Sequence, residues 1–193
     1  MREKSNMAVW NDKDFLHAGD NLFNPFNKEN IQPASYDLNL GNSFAIIKKD
    51  MNDFYYDLRT RSYYDTDTGE KVNPWDTFVL SEKEVFILNP NEFVLGTTIE
   101  TVCIPNNVIG RVEGKSSLGR IGLMVHVTAG YIDPGFRGEI TMEFKNISPY
   151  PIHLKVGSPI GQISIHNLSD VPNHLYGECG NHYQGQIGAT PPR

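Results

Sequence analysis

The feature that narrows this chain most is a recurrence. From Val85 onward, β-branched or alternating apolar runs of four to six residues return at short intervals, each closed by Gly, Pro or Asn. Val85-Phe86-Ile87-Leu88 stops at Asn89-Pro90-Asn91, and the run 93–98 leads to a break at Pro105. Runs at 108–112, 123–128, 139–144 and 160–165 repeat the theme at the roughly 8–12-residue spacing of all-β domains. A parallel α/β sheet needs long amphipathic crossover helices, and the sequence offers none. Its 17 Gly and 12 Pro suit short strands and tight turns. The predicted fold is therefore all-β, a sandwich or a barrel. One helical signal stands apart near the start: Asn11 or Asp12 can cap a short helix carrying Asp14, Phe15 and Leu16, and Gly19 sits where it would stop.

Composition bounds the function. A length of 193 residues fits one domain, taken as residues 1–193, and 39% hydrophobic residues suffice for a real core. The formal net charge of −6 and the lack of any basic run argue against non-specific nucleic-acid binding. A small anion remains compatible, because a few local cations and backbone amides can hold phosphate. No apolar stretch approaches the roughly 20 residues of a membrane helix, and the opening Met1-Arg2-Glu3-Lys4 lacks a signal-peptide core, so a cytoplasmic protein with no membrane partner is expected. Cys103 and Cys179 make neither a disulfide framework nor a zinc site, and Cys103 reads as a buried small apolar residue. The six histidines lack close zinc-ligand spacing, and neither H-x-E nor P-C-x-x-C occurs. His126, between two valines, reads as a hydrogen-bonded strand residue. Residues 50–75, with Tyr55-Tyr56 and Tyr63-Tyr64, read as a loop or hairpin insertion ordered by its aromatics. The stretch from Asn167 is polar and Gly-rich, a tail or a functional flap, and composition alone favours the tail.

Residues able to do chemistry concentrate between Glu113 and Asn146. Gly114-Lys115-Ser116-Ser117-Leu118-Gly119-Arg120 combines glycines, hydroxyls and cations, which lets backbone N–H groups and directed side chains face an anion. It is not a P-loop, because the first glycine of that motif would fall at Ile109. The alternative is a surface turn with a helix cap. Two carboxylates stand out, Asp133 at a strand end and Glu143 within 139–144. Strand alternation puts Glu139, Thr141 and Glu143 on one face and Ile140, Met142 and Phe144 on the other. If the apolar face packs on the core, Glu143 can line a pocket as a general base; the alternative is an ordinary solvated strand face. Ser116 and Ser117 have no partners in a recognisable hydrolase pattern.

The string Glu113-Gly-Lys-Ser-Ser-Leu-Gly-Arg120, with Gly122-Leu123, His126, Thr128-Ala129-Gly130 and Ile132-Asp133-Pro134-Gly135-Phe136, resembles the dCTP deaminase family of the dUTPase superfamily. Gln32-Pro33-Ala34-Ser35-Tyr36-Asp37-Leu38-Asn39-Leu40-Gly41, Phe93 to Thr98 and Gly161-Gln162-Ile163 agree, in the right order, from about Met7 to the last residues. The resemblance implies a distorted jelly-roll-like β-barrel of the dUTPase type, assembled as a homotrimer with shared active sites. It makes residues 1–6 an extension or a misassigned start and residues 167–193 a flap that closes on the nucleotide. It also implies metal-free deamination, with Glu143 activating water for attack on cytosine C4 and Ser116 and Arg120 positioning water and base. Lys115, Ser116 and Ser117 match triphosphate contacts, with Leu118, Gly119, Tyr131, Asp133, Thr141, Met142 and Gln162 around the nucleotide and Tyr176, His182 and Gln186 in the flap. Mg²⁺ is expected to arrive on the triphosphate, with no zinc and no metal cage in the protein. The expected ligands are dCTP and dUTP, with dTTP as an inhibitor.

Two departures refine this. Gly130-Tyr131 stands where many single-activity deaminases carry His-Arg, and Lys115 where many carry Arg. The combination resembles the bifunctional branch, which takes dCTP to dUMP and uses the residue matching Asp133 for diphosphate release. His182 replaces a frequent Lys, so triphosphate affinity is expected to fall as pH rises. Three other readings stand beside this one: a deaminase that releases dUTP, a plain dUTPase and a catalytically silent nucleotide-binding regulator. The usual dUTPase ending Gly-Gly-Phe-Gly-Ser-Thr-Gly is missing, with Gln184-Gly185-Gln186 in its place. A silent homologue would need neither Glu143 nor Asp133.

Overall fold

Short apolar runs cannot bury themselves alone, so they pair edge to edge and curl around one core. The computed structural model describes residues 8–48, 51, 53–81, 83–178 and 180–192; the expected extension at 1–6 and Cys179 lie outside them. The chain opens with α1 (Asp12–Ala18), then β1 (Phe23–Asn24), β2 (Ile31–Gln32) and β3 (Ser35–Ile47). Next come β4 (Phe54–Asp57), β5 (Ser62–Asp65), β6 (Lys71–Val72), β7 (Trp75–Val79), β8 (Val85–Leu88) and β9 (Phe93–Cys103). The last elements are β10 (Val108–Gly114), α2 (Ser116–Gly119), β11 (Leu123–Met124), β12 (Tyr131–Ile132), β13 (Arg137–Asn146), β14 (Ile152–Lys155) and β15 (Pro159–Asn167). The all-β expectation and its single short N-terminal helix are borne out. Asn11 caps α1 by accepting from the N–H of Lys13 and Asp14, Asp14 answers the Asn11 N–H in a capping box, and Gly19 ends the helix.

The main sheet runs β11-β13-β9-β3-β15-β10-β12, antiparallel at every pairing in the path. β3 is its corner. The first half of β3 pairs β15 (Leu38 opposite Gly161), while its second half pairs β9 (Phe44 opposite Gly96) and β7 (Ser43 opposite Val79). The strand changes partners around Gly41, where an added Cβ would lie 2.6 Å from Thr97 Cγ2 and 2.9 Å from the Thr98 carbonyl oxygen, so only glycine lets β3 and β9 approach this closely. Phe15, Phe23, Tyr36, Leu38, Leu40, Phe44, Met142, Phe144, Ile163 and Ile165 are fully buried inside the curl. Phe15 anchors α1 there, and Phe23 stacks on Tyr36 at 3.9 Å between ring centroids. The Tyr36 hydroxyl accepts the Asn27 N–H at 2.9 Å, which satisfies its buried oxygen.

The insertion is a small sheet of its own, in the order β4-β5-β6. Tyr55 packs on Tyr64 and Tyr56 on Tyr63 across the strands, and Trp75 Nε1 donates to the Tyr63 hydroxyl, so the aromatics order it as expected. Two expectations need correction. The run 123–128 is a strand only at Leu123–Met124, because beyond it the Val125 carbonyl and the Val127 N–H turn to bond Glu143 and leave the ladder. His126 therefore sits in a loop, and its buried Nδ1 has no hydrogen-bond partner among the described residues. Cys103 is half-buried, not buried: alternation along β9 turns Val102 into the core and Cys103 away from it.

Candidate active site

The polar face of β13 is where the chemistry gathers. Burial alternates residue by residue along this strand, with Ile140, Met142 and Phe144 inward and Glu139, Thr141 and Glu143 half-exposed. Over that face lies a cavity of about 290 Å³, at the small end of the range for ligand sites. Glu143 lines it, and its Oε2 accepts the Val127 N–H at 2.8 Å while the Glu143 N–H donates to the Val125 carbonyl. One carboxylate oxygen is thus tied to the loop that follows β11, fixing the side chain for work by the other oxygen.

Asp133 lines the same cavity from the turn after β12. That turn needs glycine at Gly135, whose φ is +83°. Tyr131 forms part of the rim, 66% exposed, with the Arg111 guanidinium 6.0 Å from its ring centroid. Phe136 and Tyr176 meet edge to face at 5.3 Å and form an aromatic wall. Burial, opposed by a hydrogen bond to the Tyr183 backbone and aided by the Tyr183 and Asp133 charges, pushes the Tyr176 hydroxyl pKa up. Tyr176 therefore stays protonated and able to donate.

The C-terminal segment folds back over the cavity. Tyr183, Gln186, Thr190 and Pro192 all line it. Gln186 is buried, its Nε2 donates to the Glu139 carbonyl at 2.6 Å, and its own carbonyl accepts the Glu139 N–H. Thr141, expected at the nucleotide, also accepts the Thr190 N–H at 3.2 Å. Composition alone favours a tail here; what docks the segment is its backbone groups together with the Gln184 and Gln186 amides, whose partners composition does not register. His182 lies off the cavity wall, facing Arg61 of the insertion at 3.1 Å. Because a guanidinium only donates, His182 Nε2 is the acceptor in that contact.

Apart from His182, the expected site residues form two groups on one chain. Tyr131, Asp133, Thr141, Met142, Glu143, Tyr176 and Gln186 line the cavity. Lys115, Ser116, Ser117, Leu118, Gly119, Arg120 and Gln162 do not. Lys115 Nζ lies 2.6 Å from Asp37 Oδ1, and that ion pair partners the carboxylate oxygen; Gln32 Nε2 donates to the other. Gln162 accepts from the Ser35 hydroxyl and donates to the Gly114 carbonyl. α2 is a single helical turn with Lys115 at its N-cap position, leaving Ser116, Ser117 and Arg120 exposed. Sequence reasoning passed over Tyr183 and His126 as lining residues. Tyr183 adjoins His182, and His126 belongs to the string that carries the resemblance, but its spacing between two valines reads as a strand residue and not as a cavity wall. Among the described residues no three His, Cys, Asp or Glu side chains converge as a metal site.

Fold and cavity together define a class: an all-β protein with a small cavity bounded by two carboxylates, an aromatic wall and its own C-terminal strap. A dCTP deaminase-like family model matches residues 11–168, and the chain belongs to that family. It is 41% identical over 184 residues to a protein of Dictyoglomus thermophilum named "dCTP deaminase, dUMP-forming", covering 94% of this chain and 90% of that one. A Rhodococcus opacus protein of the same name is 42% identical over 181 residues, covering 92% and 90%. Among solved structures, the dCTP deaminase of Agrobacterium tumefaciens superposes with a TM-score of 0.61 at 18% identity. That match covers 83% of this chain and 48% of the other, and it shows the shared fold.

Proposed function

We propose that this chain converts dCTP to dUMP, ammonia and diphosphate, consuming two water molecules. The observation that carries the reading is that Glu143 and Asp133 line one cavity, so each of two hydrolytic steps has a carboxylate. The names of the relatives above support the same reading. Glu143 takes a proton from water as the oxygen attacks cytosine C4, then returns it to the leaving amine, the work of a general base turned general acid. Asp133 activates the second water for attack on the α-phosphorus, expelling diphosphate. The Phe136–Tyr176 wall and the strap exclude bulk water, which strengthens electrostatic contacts inside.

The division of site residues into two groups supports a homotrimer in which Lys115, Ser116, Ser117, Arg120 and Gln162 of one copy complete the cavity of the next. Those groups would hold the triphosphate and the carbonyl edge of the base. Residues 167–193 act as the closing flap. The donor set suits Mg²⁺ carried by phosphate oxygens and water, where it neutralises phosphate charge. The analogue dTTP has the same sugar and triphosphate with a carbonyl at C4, and it is the expected inhibitor. A cytoplasmic location goes with this substrate; no helix among the described residues is long and apolar enough to cross a membrane. Incubation with dCTP and Mg²⁺, following ammonia and resolving nucleotides by ion exchange, tests the proposal: ammonia and dUMP should rise together. Cleavage of dUTP with dCTP untouched would replace it with a plain dUTPase, and no change in either nucleotide would leave a silent regulator.

A further inference from the structure

Glu139 shares the polar face of β13 with Glu143 but does not line the cavity. Its Oε2 accepts the Gly188 N–H at 2.7 Å and the hydroxyl of buried Thr97 at 3.0 Å. Gly188 has a φ of +74°, and a Cβ there would come within 2.8 Å of Ser43 Oγ, so the chain passes unusually close to the barrel at this point. Two neighbouring N–H groups are held by hydroxyls: Ala189 by Ser43 at 2.9 Å and Thr190 by Thr141 at 3.2 Å. Glu139 is therefore the one carboxylate among the three barrel side chains that hold residues 188–190, and hydrogen bonds to ionised acceptors are roughly twice as strong as neutral ones. Gly188 lies between Gln186 and Thr190, both of which line the cavity.

We infer that Glu139 is a positioning residue for substrate binding: its carboxylate latches the C-terminal strap through the Gly188 N–H, with Thr97 aiming it, and so sets how firmly the cavity is closed over nucleotide. The inference rests on the proposed nucleotide reading for its kinetic consequence, but the latch itself is a property of the free protein. Glu139 touches no reacting atom, so weakening it should weaken closure and leave chemistry in the closed state intact.

The test compares the full-length protein with Glu139→Ala and Glu139→Gln. The amide oxygen of Gln can take the place of Oε2 and accept both the Gly188 N–H and the Thr97 hydroxyl, so it should restore most of the latch. Glu139→Ala should raise KM for dCTP about tenfold, equal to about 1.4 kcal/mol of closure, with kcat changed less than twofold. Glu139→Gln should stay within about threefold of the parent KM. Hydrogen exchange on the free proteins should show faster exchange of the 186–190 amides in Glu139→Ala, with the β3 and β9 amides as protected as in the parent. Unchanged exchange at 186–190 would overturn the latch, as would loss of protection throughout the barrel, which marks a folding defect. If the parent protein does not turn over dCTP, the nucleotide reading fails and the exchange data alone decide the latch.

Discussion

Replacing Glu143 by Gln separates a catalytic carboxylate from a structural one. Among the described residues Glu143 makes one side-chain hydrogen bond, accepting the Val127 N–H at 2.8 Å. Gln keeps a carbonyl oxygen in that place, so the exchange turns a charged acceptor into a neutral one. Bonds to charged groups contribute about 1.5–3 kcal/mol against about 0.5–1.5 for neutral ones, and half-exposure reduces the difference. The expected loss of stability is about 1 kcal/mol or less, a fall in Tm of about 2–4 °C for a chain of this length. Catalysis should suffer far more, because Gln cannot accept the proton of an attacking water, and positioned acid–base groups supply about 10²–10⁴-fold. Ammonia release from dCTP, measured by a coupled dehydrogenase assay beside a thermal melt, should therefore fall at least 10²-fold with the fold intact. Hydrolysis of supplied dUTP should persist, since Asp133 is untouched. Retention of more than a tenth of the ammonia rate would refute the role given to Glu143. A Tm fall above about 8 °C would show that the carboxylate mainly holds the loop after β11.

Glu100, 2% exposed on β9, accepts the N–H and side-chain amide of Asn39, yet burial raises its pKa above the ordinary carboxylate value. A raised folded-state pKa means its stabilising contribution is full below the unfolded pKa and lost as pH rises through the folded one. Glu100→Gln, with the Asn39 amide turned over, should thus be more stable than the parent at pH 8 and converge with it near pH 4, read by urea melts at both values. A gap that widened on acidification would contradict this. At Gly41, an added Cβ would meet Thr97 and the Thr98 carbonyl, so Gly41→Ala should cost about 1–3 kcal/mol in urea unfolding. A neutral result there would mean that β3 and β9 can separate without loss.

The fold was legible where local periodicity and tertiary burial agree. Val85-Phe86-Ile87-Leu88 is β8 in full, the 139–144 alternation gives the faces of β13, and the Asn11-or-Asp12 cap and Gly19 bound α1 to within one residue. The longest strand, β3, was harder to see. Its inward residues include Tyr36, Asp37, Leu38 and Leu40 in near-continuous burial, because it turns a corner and is covered on both sides, so no clean alternation survives. The loop after β11 misled for the opposite reason: its apolar spacing suits a strand, but the Glu143 side chain of β13 takes the Val127 N–H. At the site, motif matching found Glu143 and Asp133 as individuals. That they share one cavity, and that the Lys115–Arg120 group faces elsewhere on the same chain, depends on pairings between strands far apart in sequence.

If two carboxylates in one cavity perform two successive hydrolyses, the products that the parent and Asp133→Asn proteins form from dCTP with Mg²⁺ must differ. The parent should yield dUMP and diphosphate with no free dUTP, and Asp133→Asn should still release ammonia while dUTP accumulates. Free dUTP from the parent, or dUMP formed undiminished by Asp133→Asn, would contradict the claim.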